Sequence, residues 1–105
     1  MKNPDDAKVI VNQLLQTLYD KHKDYGPLNI ASAPGGAMNG LRVRMYDKLA
    51  RLNNLLDTGD TPKYESLEDT LLDLANYAII GLLVQRGQWE GIPSGSQNKA
   101  GSSPQ

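Results

Sequence analysis

One helical stretch limits the fold of this chain more than any other part of its sequence. Asp69, Asp73 and Asn76 are spaced at i, i+4 and i+7, which places them on one face of a helix. The residues around them are almost all apolar: Leu71, Leu72, Leu74, Ala75, Ala78, Ile79, Ile80, Leu82 and Leu83. A helix that is apolar on nearly all sides is expected to lie buried at the centre of a fold. A carboxylate such as that of Asp73 is rarely buried unless it is paired or binds a metal, so the sequence predicts a cationic group opposite it.

The length of the chain allows one small domain. Its 105 residues are enough for a single domain at most. From residue 89 onward the sequence is polar and turn-forming, so we predict a domain over residues 1–88 and a disordered tail over residues 89–105. Trp89 and Ile92 carry most of the apolar surface in this tail and would attach its start to the domain. Because so short a domain has a small core, we expect a homo-oligomer to complete its burial.

Charge and composition narrow the function classes. The formal net charge of −1 argues against general nucleic-acid binding, which requires a basic surface. With no cysteine, the chain has neither disulfides nor thiolate metal sites. No signal peptide is evident, and the longest apolar stretch, residues 74–84, is too short to span a bilayer. We therefore expect no membrane association and a cytoplasmic location, in the host cytoplasm if a phage encodes the protein.

Periodicity and capping signals predict an all-α fold, a small antiparallel bundle of three main helices. The first helix runs from Asn3, as N-cap, to about residue 23, and a Gly/Pro/Ala-rich loop follows over residues 28–39. The second helix covers about residues 41–56, and the third runs from about residue 66 to 86. The first helix is expected to bury these side chains: Ile10, Leu14 and Leu18, with Val11 and Leu15 beside them. A loop of about twelve residues in a small domain is often functional.

Two charged stripes have the same spacing on consecutive helices. The second helix carries Arg44, Lys48 and Arg51 at i, i+4 and i+7, matching the acidic stripe of the third helix. Short connections make consecutive helices antiparallel neighbours, so the two stripes are expected to face each other. One interpretation is an interhelical salt-bridge ladder, the commoner arrangement. The other is a polyphosphate site, where acidic residues hold Mg²⁺ and the cations meet the phosphate charge.

Several charged residues also have simpler interpretations. Asp69 is expected to complete a capping box with Ser66 at the start of the third helix. Glu65 suits the helix dipole as an exposed acid of the first turn. Asp47 has a partner in Arg51 four residues on. His22 lies in a polar run typical of a solvated helix end.

Three segments, residues 23–26, 45–56 and 65–77, carry a combination of motifs. Together they resemble the phage and bacterial "nucleotide modification associated domain 1" family. That family is itself similar to the MazG-like all-α NTP pyrophosphatases. The resemblance covers most of residues 10–86 and implies an all-α fold, a nucleotide ligand, Mg²⁺, and a role in phage nucleotide metabolism or DNA modification.

The resemblance also suggests roles for individual residues. Asp69 and Asp73 resemble the acidic pair on the last core helix of the family. The matching residues on the preceding helix and on the turn after the first helix are Asp47, Lys48, Arg51, Asp24 and Tyr25. The chain departs from the MazG-like pattern, because Asp-Lys-Leu-Ala-Arg replaces the EExxE motif and Asp-x-x-x-Asp replaces ExxD. Two-metal hydrolysis needs carboxylates for both ions, so binding and hydrolysis both stay open.

Two functional hypotheses follow. The first is a Mg²⁺-dependent nucleotide-binding protein or nucleoside triphosphate pyrophosphohydrolase. Its metal ligands are Asp69 and Asp73, and Asp47 or Glu65 completes the catalytic shell. Its phosphate-binding and other ligand-contacting residues are Arg44, Lys48, Arg51, Asp24, Tyr25 and Asn76. The alternative is a non-catalytic oligomeric helical adaptor or nucleotide sponge, in which the Arg and Lys side chains bind an anion without metal. A purely structural bundle is a third, simpler reading.

Overall fold

The computed structural model describes residues 1–93, and every regular element within them is a helix. There are four: α1 (Asp6–Tyr25), α2 (Leu28–Ala31), α3 (Ala37–Thr58) and α4 (Leu67–Gln85). The predicted all-α fold with three main helices is therefore confirmed. No helix among residues 1–93 combines the length and hydropathy needed to cross a bilayer.

The α3 and α4 helices form an antiparallel pair, the most extensive contact between elements of the fold. Lys48 of α3 bonds Asp73 of α4, while Leu41, two turns earlier in α3, lies beside Gly81, two turns later in α4. This opposite progression is the register expected of helices joined by a short turn. The predicted charged stripes therefore lie on facing helices.

The core gathers side chains from every helix and from the segment after α4. Its buried apolar residues are Leu18, Ile30, Leu41, Ile80, Val84 and Trp89. The indole of Trp89 also donates a hydrogen bond to the carbonyl oxygen of Pro27, at 3.0 Å. The first residues after α4 are thus packed against the start of α2. Residues 94–105 of the predicted disordered tail lie outside the described part of the chain.

The predicted loop over residues 28–39 is wrong at both of its ends. Residues 28–31 form the single turn of α2, which buries Ile30 against the core. At the other end, α3 begins at Ala37, four residues before the predicted start. A single buried apolar residue, Ile30, in a segment flanked by Pro and Gly gives no helical periodicity, so the sequence pattern did not predict α2.

The start of α1 also differs from the prediction. The helix begins at Asp6 rather than directly after Asn3, because residues 3–5 form a turn. The Asn3 side chain accepts a hydrogen bond from the Asp5 amide within that turn, at 2.8 Å. At its C-terminal end, α1 stops before Gly26, whose φ of +72° favours glycine.

The predicted burial of the α1 apolar face is wrong over its first half. Leu18 is buried, but Ile10 and Val11 are each about half exposed, and Leu15 is also exposed. On α4, Leu71 and Leu82 are half exposed, so this helix is buried on one side only. The single chain therefore leaves apolar side chains of α1 and α4 in solvent, and the same is true of Val43 and Leu56 on α3.

Candidate functional site

A cleft of about 450 Å³ opens between α1, α3 and α4. Its charged lining residues are Lys21, Arg44, Lys48, Glu65 and Asp73. Its other lining residues are Leu18, His22, Tyr25, Gly26, Asn29, Ile30, Asn76, Tyr77, Ile80 and Trp89. A volume of this size is in the range of small-molecule sites, which combine apolar walls with a few convergent polar groups.

Asp73 is held between two lysines from different helices. One carboxylate oxygen lies 2.8 Å from Lys21 Nζ of α1, and the other lies 2.8 Å from Lys48 Nζ of α3. Only 12% of the Asp73 side chain is exposed. The cationic group predicted opposite Asp73 is thus present twice. Lys21 was not predicted as a site residue, although it follows the buried Leu18 by one helical turn and so shares its face.

Glu65, just before α4, extends this cluster. Lys48 Nζ also lies 2.6 Å from a Glu65 carboxylate oxygen, so one lysine bridges Glu65 and Asp73. The buried Thr70 hydroxyl donates to the other Glu65 oxygen at 2.7 Å. Arg51 lies 3.6 Å from the same carboxylate and donates to the Glu65 carbonyl oxygen. Glu65 is therefore a half-buried member of the network rather than a freely solvated acid.

The charges in this cluster shift one another's pKa values. Burial raises the pKa of Asp73, but hydrogen bonds from Lys21 and Lys48 outweigh it and hold that pKa below its ordinary value. Burial likewise raises the pKa of Glu65, and hydrogen bonds from Lys48 and Thr70 bring it below its ordinary value. Burial lowers the pKa of Lys48, yet its bonds to both carboxylates leave that pKa raised. All three groups are therefore charged at neutral pH.

Unlike Lys21 and Lys48, the third cation of the cleft, Arg44, is hydrogen-bonded to a neutral group and not to a carboxylate. Its guanidinium donates a hydrogen bond to the Asn29 carbonyl oxygen at 3.1 Å. No carboxylate of residues 1–93 lies within ion-pair distance of it. Arg44 therefore keeps an uncompensated positive charge beside the cleft.

The amide of Asn76 is buried in the cleft wall without a partner. The residue is 5% exposed, and neither its oxygen nor its nitrogen has a hydrogen-bond partner among the described residues. Buried polar groups are nearly always hydrogen-bonded in folded proteins. Asn76 is a lining residue of the cleft, so its buried amide donor and acceptor lack partners in the wall of this site.

The segment after α4 closes one side of the cleft. His22 Nε2 lies 2.9 Å from a Glu90 carboxylate oxygen, and the His22 ring meets Trp89 edge-on, with 4.8 Å between ring centroids. His22 therefore lies in the wall of the cleft. Its sequence context had instead predicted a freely solvated position at a helix end.

The remaining residues of the sequence hypothesis lie in different places. Tyr25 lines the mouth of the cleft, whereas Asp24 and Asp47 are exposed and are not among its lining residues. Asp69 forms the predicted capping box: its backbone N–H donates to the Ser66 hydroxyl at 3.0 Å, and its carboxylate accepts from the Ser66 amide. Its role as a metal ligand, like the catalytic role of Asp47, stays a prediction.

The cleft offers few ligands for Mg²⁺. Glu65 and Asp73 are its two lining carboxylates, and both are neutralised by the shared Lys48. Among residues 1–93 there is no cluster of three or more Asp, Glu, His or Cys side chains arranged to hold a metal ion. Mg²⁺ commonly binds through one or two carboxylates together with substrate phosphates. The two carboxylates would suffice for a single Mg²⁺ only with further oxygen ligands from phosphates, and only once Lys48 no longer pairs with them.

The fold and site define an all-α protein with a mixed-charge, partly apolar cleft. A comparison with known families matched residues 21–84 to "Nucleotide modification associated domain 1". The matched region contains α2, α3, Lys21 and most of α4 with Asp73 and Asn76, and the chain belongs to this family. Comparison with curated proteins and with solved structures gave no match.

Proposed function

We propose that this protein binds a nucleoside triphosphate in the cleft between α1, α3 and α4. The observation that carries the proposal is the arrangement of Lys21, Arg44 and Lys48 around a half-buried cavity. Three cations against two carboxylates leave a positive excess where an anion would lie. Membership of a family associated with nucleotide modification supports a nucleotide as that anion.

Phosphate binding uses Arg44 first, because its charge is already uncompensated. A guanidinium binds phosphate oxygens in a forked geometry and is charged at every physiological pH. Lys21 and Lys48 contribute when the phosphates draw them away from Asp73 and Glu65. The carboxylates that the lysines leave then need another cation, because a buried carboxylate without one is costly.

Mg²⁺ entering with the nucleotide would be held by Asp73 and Glu65, the carboxylates that the lysines release. Bound there, the ion would neutralise phosphate charge. The role of Asp73 in this proposal is the predicted one, whereas Glu65 takes the place that sequence analysis gave to Asp69.

Pyrophosphohydrolysis is a second candidate, favoured by the position of Glu65 and Asp73 on the same cleft. Hydrolysis would require these carboxylates to support attack of water on a phosphoanhydride. Since both are ion-paired to Lys48, neither is a free base in this state. Binding is therefore the function that the geometry supports best, and turnover is an outcome to be measured.

Calorimetry with the four common deoxynucleoside triphosphates, in Mg²⁺ and in EDTA, tests the proposal. We expect saturable one-site binding that weakens at high salt, because screening reduces exposed charge interactions. Pyrophosphate release measured in the same samples separates binding from hydrolysis. Absence of binding to every nucleotide under both conditions would refute the proposal, and equal binding in EDTA would remove the metal from it.

A homo-oligomer is part of the proposal, supported by the exposed first half of α1. Val9, Ile10 and Val11 are each at least half exposed there. Burying such side chains against another chain would add apolar area that the small core lacks. Analytical ultracentrifugation measures the assembly state directly.

A further inference from the structure

We infer that Asn76 reads the hydrogen-bonding edge of the nucleobase, and this inference rests on the proposed nucleotide-binding function. An amide side chain offers a donor and an acceptor side by side. In Asn76 both are buried and without partners, which costs free energy unless a ligand supplies the missing hydrogen bonds. A nucleobase edge presents the complementary pair of groups.

The orientation of the nucleotide follows from the order of residues along α4. Asp73, Asn76, Tyr77 and Ile80 all line the cleft, and the helix rises by about 1.5 Å per residue. Asp73 belongs to the cationic cluster that suits phosphates. Ile80, about 10 Å further along the helix, belongs to the apolar core.

The polarity of the cleft therefore changes in the same direction as that of a nucleotide. The charged end holds Lys21 and Lys48, and the apolar end holds Ile80 and Trp89, whose side chains are buried. Arg44, one turn before Lys48 in the antiparallel α3, lies level with Asn76 and would meet the phosphate nearest the sugar. Asn76 lies between these ends, one turn from Asp73 and one turn from Ile80. A base placed against the apolar end brings its polar edge to the Asn76 amide, while the triphosphate reaches the cations.

A base edge explains the Asn76 amide better than a phosphate does. A phosphate oxygen only accepts, so it would leave the amide oxygen of Asn76 unpaired. A base edge uses donor and acceptor together. A site that pairs both groups rejects ligands without them strongly, because the buried amide is then left unsatisfied.

The test compares Asn76→Leu with the wild-type chain, using deoxynucleoside triphosphates and tripolyphosphate as probes. Leucine has a similar shape and removes both unpaired polar groups, so folding stability should be unchanged or higher. We expect the affinity for the preferred nucleotide to fall by about tenfold or more, and that for tripolyphosphate to stay within about twofold. The matched control, Asn53→Leu on the exposed face of α3, should change neither affinity.

A second comparison separates base reading from sugar reading. An analogue of the preferred nucleotide, whose base lacks the exocyclic amino or keto group, should bind the wild-type chain about tenfold more weakly. The same analogue should lose little further affinity in Asn76→Leu, because the two changes remove one interaction. Additive losses would overturn the inference, and so would an Asn76→Leu variant that binds nucleotides as tightly as wild type.

The outcomes distinguish this inference from the function on which it rests. Nucleotide binding that is unaffected by Asn76→Leu refutes the base-reading role and leaves the proposed function standing. An equal loss for nucleotides and for tripolyphosphate assigns Asn76 to the phosphate end and also refutes that role. A wild-type chain that binds neither probe refutes both.

Discussion

At the scale of single residues, Asp73 belongs to two arrangements that sequence analysis treated as alternatives. Its ion pairs with Lys21 and Lys48 tie α4 to α1 and α3, as a salt-bridge ladder would. The same carboxylate lines the cleft, as a ligand-binding site requires. The two lysines that pair with this carboxylate offset the free-energy cost of burying it in the wall of the cleft.

Replacing Asp73 by alanine should therefore destabilise the folded chain. Lys48 keeps Glu65 as a partner and Lys21 is half exposed, so neither cation is stranded in a dry interior. We expect the free energy of unfolding to fall by about 1–3 kcal/mol, measured by denaturant unfolding. Asp47→Ala, at an exposed position of α3, is the matched control and should stay within about 0.5 kcal/mol of wild type. An Asp73→Ala variant as stable as wild type would show that the ion pairs contribute nothing.

The same cluster predicts a loss of stability in acid. Asp73 and Glu65 have pKa values below their ordinary values of 3.8 and 4.5. Protons therefore bind the unfolded chain more readily than the folded one. The contribution of the two carboxylates to the free energy of unfolding is complete above about pH 5, and it is lost as pH falls through the lowered pKa values. Unfolding measured from pH 6 to pH 3 should show a shallower decline for Asp73→Asn than for wild type. Parallel curves would exclude Asp73 from the acid response.

At the scale of elements, the start of α4 separates a structural carboxylate from the cleft carboxylates. Ser66 and Asp69 form a capping box that satisfies backbone amides at the helix terminus. Glu65, one residue before the cap, turns toward Lys48 and Thr70 instead. Two acids only four residues apart thus serve different purposes.

The cap predicts a separable phenotype for Asp69. Asp69→Ala should lower the free energy of unfolding by about 1 kcal/mol, as loss of a capping interaction does. Nucleotide affinity, and its dependence on Mg²⁺, should not change. Thermal denaturation combined with calorimetry provides both readouts. A loss of Mg²⁺ dependence at wild-type stability would restore Asp69 to the metal site predicted from sequence.

The elements that sequence analysis predicted well are those with a strong local signal. The Ser66 cap and the apolar run after it define α4 closely, and matched spacing placed Lys48 opposite Asp73. Lys21 shares the helix face of Leu18, but its partner on α4 depends on how α1 packs against that helix, which no local pattern encodes. The contacts of His22 with Trp89 and Glu90 likewise depend on the packing of the segment after α4. The partnerless state of the Asn76 amide is likewise visible only once the chain is folded.

At the scale of the whole molecule, residues 89–93 belong with the helices in packing. Trp89 is 6% exposed and bonds the backbone at Pro27. Glu90 reaches His22 on α1, and Gly91 lies against Ala31, where a Cβ atom would come within 2.9 Å. These contacts join the segment after α4 to the last turn of α1 and to α2.

Shortening the chain after residue 93 and after residue 88 should therefore give different results. Loss of Trp89 removes a large buried side chain, which costs about 3–5 kcal/mol, a large fraction of the stability of a small domain. The chain ending at residue 93 keeps these contacts and should melt close to the full-length chain. Circular dichroism melts of both truncations make the comparison. Equal melting temperatures would show that residues 89–93 do not stabilise the fold.

The most direct test of the nucleotide site compares Arg44→Met with Arg42→Met by calorimetry, using the nucleoside triphosphate that binds most tightly. Both arginines are on α3, but Arg44 lines the cleft, whereas Arg42 lies against the separate apolar groove around Met38 and Leu82. If the uncompensated charge of Arg44 binds phosphate, Arg44→Met should weaken nucleotide binding by about tenfold or more, while Arg42→Met stays within about twofold of wild type. Equal affinities for the two variants would contradict the assignment of this cleft as the nucleotide site.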